Sequence, residues 1–182
     1  MESLRGKLLL AGPVLKDPNF ERSVVFIAEH TEEGAMGLVL NRPSTATVAD
    51  AVPDLSWLAG ETEPVYVGGP VAETAVIVLA EFERPELAGA LVESDLGFVG
   101  ADADDPVQLQ DAVRRARVFA GHAGWGPGQL EDELAEEAWI VEPPTREEIF
   151  TAAPDDLWAA VLRRKGHRYA LLATMPPDPS LN

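Results

Sequence analysis

The chain has 182 residues, 46% of them hydrophobic and 25% charged. That is the length of one ordinary domain and the composition of a folded globular protein, which excludes a disordered, collagenous or coiled-coil chain. It has no cysteine, so disulfides, thiolate metal sites, iron–sulfur clusters and cysteine nucleophiles are excluded too. The formal net charge of −17 is uneven: residues 51–105 hold twelve acids against the single base Arg84. Such a field repels nucleic-acid phosphates and anionic membranes, so neither direct nucleic-acid binding nor membrane attachment is expected.

In chain order, Lys7–Ala11 reads as a short apolar strand that ends at Gly12-Pro13. The run Leu8–Leu15 follows Arg5 and Lys7 but lacks a signal-peptide cleavage site, so a cytosolic protein is expected. Ser23–Ala28 and Ala35–Leu40 are rich in β-branched and aliphatic residues and form a predicted hairpin around Thr31–Gly34. Thr47 with Asp50 resembles a capping box and opens a short helix. Strands follow at Pro64–Val67, at Ala75–Ala80 and at Leu91–Val99, the last broken at Gly97. Pro106 opens a helix whose buried face takes Leu109, Ala112, Val113 and Ala116. Arg117–Ala120 is a strand feeding a glycine-rich loop. A helix over Gly128–Ala138 follows, with Pro127 placed for its first turn, and then a strand over Trp139–Val141.

Thr145 and Glu148 form a second capping box. Asp155–Lys165 carries acids at its start, Leu157, Trp158, Val161 and Leu162 on one face, and Arg163, Arg164 and Lys165 at its end, as the helix dipole favours. Met175–Asn182 has too many prolines for regular structure. The longest uncharged run, Val118–Leu130, has 13 residues, fewer than the roughly 20 of a membrane-spanning helix. Strands come in runs and most helices late, so a mixed-sheet α+β fold in one domain over 1–182 is expected.

The most unusual segment is Gly121–Glu131, with four glycines within eight residues ahead of a helix. Glycine permits close backbone approach, and a helix start attracts anions. Neither a Walker loop nor a GxGxxG pattern is present, however, and Glu131, Asp132 and Glu133 fill the first turn. The alternative is that the glycines let Trp125 tuck against the sheet. In Asp17–Ser23, Asp17 starts a turn before Pro18, and Arg22 can fork onto a carboxylate of a ligand or of the protein. Asn41 ahead of Arg42-Pro43 suits backbone capping. Gly68-Gly69 suits a bulge or a close strand contact. His30, His122 and His167 lack metal-ligand spacing, and no GxSxG elbow surrounds any serine. No metal and no cofactor are expected.

Four segments in this order, DPNFERSVVFIAEH at 17–30, GAMGLVLNRP at 34–43, VYVGGPV at 65–71 and GHAGWGPGQLEDEL at 121–134, resemble the YqgE/AlgH family of bacterial proteins. The resemblance runs from about residue 7 to about 166. It implies a bifurcated sheet partly closed into a small barrel, with helices outside, and it supplies no catalytic residue. The positions matching the family signature are Arg22, Ser23, Asn41, Gly68, Gly69, Trp125, Gly128, Gln129, Leu130 and Glu131. Many members carry Tyr at the place of His122, which argues against a catalytic or metal role there.

The reading that follows is a non-enzymatic domain, regulatory in one version, that binds a small molecule or a protein. Its site residues are Arg22, Ser23, Asn41, Gly69, Trp125, Gly128, Gln129 and Glu131, with Gly124–Gln129 and Arg22 as the contact surface. One alternative is a hydrolase using Glu131 or Asp17 as general base. Another is the transcriptional regulation that the name AlgH implies.

Overall fold

A computed structural model describes residues 2–101 and 105–177. Strands β1 (Leu8–Ala11), β2 (Val24–Thr31) and β3 (Gly34–Val39) come first, then β4 (Pro43–Thr47) and the short helices α1 (Val48–Ala51) and α2 (Ser56–Ala59). Next are β5 (Pro64–Val67), β6 (Val71–Phe82), β7 (Ala90–Glu93), β8 (Leu96–Phe98), α3 (Pro106–Ala112) and β9 (Val113–Trp125). The chain continues through α4 (Gln129–Ala135), β10 (Trp139–Glu142), α5 (Arg146–Ile149), α6 (Leu157–Lys165) and α7 (Arg168–Leu172).

The sheet runs β10-β1-β2-β3-β9-β6-β8-β7, with β5 on β9 and β4 on β5. All pairs are antiparallel except β5 with β9. The apolar runs of β1 and β2 are continuous because both faces of the sheet are covered. Leu8, Leu10, Val24 and Phe26 pack with Trp158, Val161 and Leu162 of α6. Leu9, Val25 and Ile27 pack on the opposite face with Trp125, Trp139 and Leu130.

The fold turns on a fork at β9. Its middle pairs with β5 as far as Ala120, and its end pairs with β3 from Ala123 to Trp125. Gly68 sits in the crotch, donating its N–H to Ala120 O at 2.9 Å and accepting the Val39 N–H at 2.8 Å. Backbone meets backbone here without room for side chains. A Cβ on Gly69 would fall 2.2 Å from the His122 carbonyl, and one on Gly121 would fall 2.6 Å from Gly69 O. Both residues also have positive φ, +154° and +73°, which a side chain resists.

Four expectations are corrected. The sheet does not close into a barrel: among the described residues no ladder joins β10 to β7. Side chains reach the outer strand instead, Arg5 donating to Leu91 O and Arg146 to Glu93, while Lys165 of α6 donates to Val141 O on β10. The strand expected over Arg117–Ala120 does not give way to a glycine loop, because β9 extends through Gly121 to Trp125. The helix after Pro106 ends at Ala112, and Val113 already belongs to β9. The 91–99 stretch divides into β7 and β8, which turn between Glu93 and Leu96 and not at Gly97. Residues 178–182 of the proline-rich tail lie outside the described residues.

A register shift between Glu81 and Phe82 sets both Arg114 and Arg115 against one partner, as bulges do. Buried Glu81 accepts from Arg115 at 2.6 Å and from Arg114 at 3.3 Å. Arg146 of α5 adds contacts to Glu93 and Asp95 at 3.3 and 2.7 Å, tying the helix to the β7–β8 turn.

Two predictions follow from this framework. Gly121→Ala should lose about 2–4 kcal/mol, combining a left-handed strain with overpacking; for a chain of this size each kcal/mol is roughly 2–4 °C of melting temperature. Gly126→Ala, with open space around its Cβ position, should melt like the parent, and equal melting of the two variants would contradict the fork. The second prediction concerns acid. The hydrogen bond from Arg146 holds the Asp95 carboxyl below its ordinary range. A depressed folded-state value gives stability that is present above the unfolded carboxylate pKa of about 4 and is lost as pH falls through the folded value. Arg146→Met should therefore melt lower at pH 6 and show a flatter decline below about pH 4. An unchanged acid slope, followed by circular dichroism melts, would argue against this pairing.

Candidate functional site

The residues singled out in the sequence do not meet in one cleft; most of them hold the framework. Asn41 is buried at the end of β3, accepts the Val24 N–H at 2.9 Å and donates to Arg22 O at 2.9 Å. It fixes the entry into β2. Arg22 is held there with a left-handed backbone, φ +56°. Its guanidinium lies 4.7 Å over the Trp158 ring and donates to Met175 O. Ser23 is fully buried and its hydroxyl has no partner among the described residues.

Trp125 turns inward and is 6% exposed, so the indole is not the exposed contact expected of it. Its Nε1 donates to Glu133 at 2.9 Å, and Trp139 Nε1 donates to the same carboxylate oxygen at 2.7 Å. The two indoles meet edge-on at 6.0 Å, with Phe20 against both. Gly128, left-handed and exposed, precedes α4. Gln129 accepts the Gly126 N–H at 3.1 Å and donates to Glu133 at 3.0 Å. This clasp folds the 126–129 turn onto α4. A shallow depression of about 230 Å³ touches Trp125, but Glu29 and Glu33 share its rim.

The two carboxylates considered as bases have other tasks. Glu131 accepts from His30 Nε2 at 2.8 Å. His30 takes the Leu4 N–H on Nδ1, so its proton sits on Nε2. The backbone N–H of Glu131 and then His30 hold this carboxyl below the ordinary range, opposite to the raised value of a base poised near neutrality. Asp17 is exposed and accepts the Asn19 N–H at 2.8 Å, closing a turn. Among the described residues no group of three or more His, Asp or Glu side chains could hold a metal ion.

Three of the four sequence segments do converge on a separate cleft of about 240 Å³. Pro18 and Asn19 come from the first, Arg42 and Pro43 from the second, and Val67, Gly69 and Pro70 from the third, with Glu73 at its margin. The fork builds this place, since Gly69 leaves β5 where β9 changes partners. Arg42 is half-buried, donates to Glu21 O, and has no carboxylate within 4.0 Å among the described residues. Burial pulls its pKa below the ordinary guanidinium value, and the charge of Glu21 offsets part of this. The sequence expectation centres on Arg22 and not on Arg42, although Arg42 is the only Lys or Arg between Arg22 and Arg84.

Two of the larger hollows carry less chemistry. One of about 490 Å³ lies between β10 and α6–α7. Its Lys165 is already bonded to Glu142 at 2.6 Å. Another, of about 360 Å³, contains Arg22 over Trp158 and is walled by Met175, Pro176 and Pro177 of the chain itself.

These framework roles separate two neighbouring polar residues. Asn41→Ala removes two hydrogen bonds and orphans a buried N–H, and should cost about 2–3 kcal/mol. Ser23→Ala deletes an unpartnered hydroxyl and should be neutral or stabilising in the same denaturant titration. A large loss for Ser23→Ala would mean that the hydroxyl has a partner.

The comparisons with known proteins agree with the segment pattern. Residues 8–170 match the family model described as DUF179, AlgH-like. A UPF0301 protein of Streptomyces coelicolor is 46% identical over 188 residues, covering 100% of this chain and 97% of that one. One from Mycobacteroides abscessus is 41% identical and covers 97% and 87%. A crystal structure of a Corynebacterium diphtheriae protein superposes with a TM-score of 0.87 at 28% identity, covering 96% of this chain and 94% of its own. The solution structure of the AlgH protein from Pseudomonas aeruginosa gives 0.71 at 30% identity, covering 97% and 98%. The chain belongs to the AlgH-like family of bacterial proteins.

Proposed function

We propose that this is a binding domain without catalytic chemistry of its own, and that its recognition site is the cleft formed by Asn19, Arg42, Gly69 and Glu73. The observation that carries this reading is the half-buried Arg42, which has no carboxylate partner among the described residues of a chain with 31 acids and 14 bases. A guanidinium that has lost water gains most from a forked, charge-assisted contact with an oxyanion. Glu73, exposed at the margin, offers a place for an accompanying ammonium. A space of about 240 Å³ lies below the usual range for drug-sized ligands. It suits a small carboxylate such as an amino acid, or the carboxylate end of a peptide.

The hydrolase reading has lost its bases, since Glu131 is bound to His30 and Asp17 closes a turn. Direct DNA contact is opposed by the net charge of −17. Among the described residues no helix is long and apolar enough to cross a membrane.

Thermal-shift titration with acetate, glycine, glutamate and a short peptide bearing a free carboxylate tests the site. A ligand at 100 times its dissociation constant should add about 2.7 kcal/mol. Arg42→Met should abolish that gain, and Glu73→Gln should weaken only the amine-bearing ligands. Binding that survives Arg42→Met would place the site elsewhere.

A further inference from the structure

Among the described residues, β6 has a stretch of unpaired backbone edge beside an apolar groove. Strand β6 pairs with β9 from Val76 to Phe82 and again at Val71, but on its other side β8 meets only Leu79, Ala80 and Glu81. The Val99 N–H to Val78 O bond, 3.0 Å, extends this outer side by one step. Both backbone groups of a residue in an antiparallel ladder face the same neighbour, and the side alternates along the strand. Val76, two residues before Val78, therefore turns its N–H and C=O outward, where no described strand pairs with them.

Val71 to Val76 are all exposed, and Val76 is 48% exposed. Natural sheets blunt such edges with lysine, proline or a covering segment; between Val71 and Val78 there is no basic residue and no proline. Alongside runs a groove of about 450 Å³ lined by Leu55, Trp57, Leu58, Val76, Phe98 and Val99. Trp57 is 36% exposed, and its Nε1 is already satisfied by Asp54 O at 2.6 Å, which leaves its ring to a partner. Asp54 also lines the groove, as does Pro106, the residue after the helix-capping Asp105. The whole stretch 51–105 has twelve acids and one base.

We propose that this edge and groove dock an extended, basic segment of a partner protein by strand addition. The segment's backbone pairs with Val76, as added strands do on open sheet edges. One of its apolar side chains lies against Trp57, and its basic side chains face the acids around the groove. The contacts proposed here centre on Val76 and Trp57, neither of which lines the Arg42 cleft, and the preferred charge is the opposite of that for the carboxylate cleft, so either proposal can fail alone.

The test titrates the ¹⁵N-labelled full chain with a peptide of about nine residues, a generous strand length, alternating valine and lysine. A valine–glutamate peptide of the same length is the control. The basic peptide should move the amide signals of Val76 and its neighbours. Val76→Lys and Trp57→Ala, both at exposed positions, should each weaken it by about tenfold or more, equivalent to about 1.4 kcal/mol. Melting curves of both variants confirm folding, and either variant alone suffices for the comparison.

Equal affinity for parent and variants would reveal general attraction to an acidic protein and overturn the proposal. So would equal binding of the acidic peptide, or shifts confined to the Arg42 cleft. Shifts at Val76 that follow protein concentration without peptide would assign the edge to a second copy of the chain and overturn the proposal as well.

Discussion

Three glycines without side chains, placed where two backbones cross, permit everything else in this molecule. At Gly68, Gly69 and Gly121 the strand β9 lets go of β5 and takes up β3, and the separations there are too small for any Cβ. Without that crossing the sheet could not divide. The division gives it two branches, one covered by Trp158 of α6 and by the paired indoles Trp125 and Trp139, the other by the small helices α1 and α2 and by α3. It also shapes the cleft beside Gly69 in which Arg42 stands.

The residues that make the family recognisable serve this framework more than they serve a site. Asn41 bonds two backbone groups at the start of β2. Glu133 gathers both indole N–H groups and Gln129 at one carboxylate. Glu131 anchors His30, whose ring is itself tied to Leu4. Buried polar groups of this kind need complete sets of partners, and a complete set fixes several residues together. A recurring sequence segment can thus record a packing solution as readily as a reaction. Beyond the framework the described residues leave two simpler features, a half-buried guanidinium without a carboxylate partner at Arg42 and an exposed strand edge at Val76.

Local signals in the sequence were legible. The apolar runs at 8–11 and 24–28 read as strands because both of their faces are buried. Thr47 with Asp50 and Thr145 with Glu148 announced helix starts because a cap needs only neighbours. The failures were non-local. Ala112 and Val113 continue a helical spacing, yet the chain turns into β9, where pairing with β6 overrides local preference. The polar strand β4, starting at Pro43, has little apolar pattern to betray it. The glycines around Trp125 suggested a loop because glycine permits open turns and close strand crossings equally well, and only the opposing Gly68-Gly69 decides between them. Arg42 is equally silent in the sequence, because its lack of a carboxylate partner among the described residues is a property of the folded chain.

Native-state hydrogen exchange at the crotch of the fork is the most direct test of the crossing as the organising constraint. The Gly68 N–H, bonded to Ala120 O, and the Val39 N–H, bonded to Gly68 O, should exchange only through global unfolding, with a free energy equal to the stability from denaturant melts. Exchange of these two amides through a cheap local opening, while the amides of β1 and β2 stay protected, would contradict it.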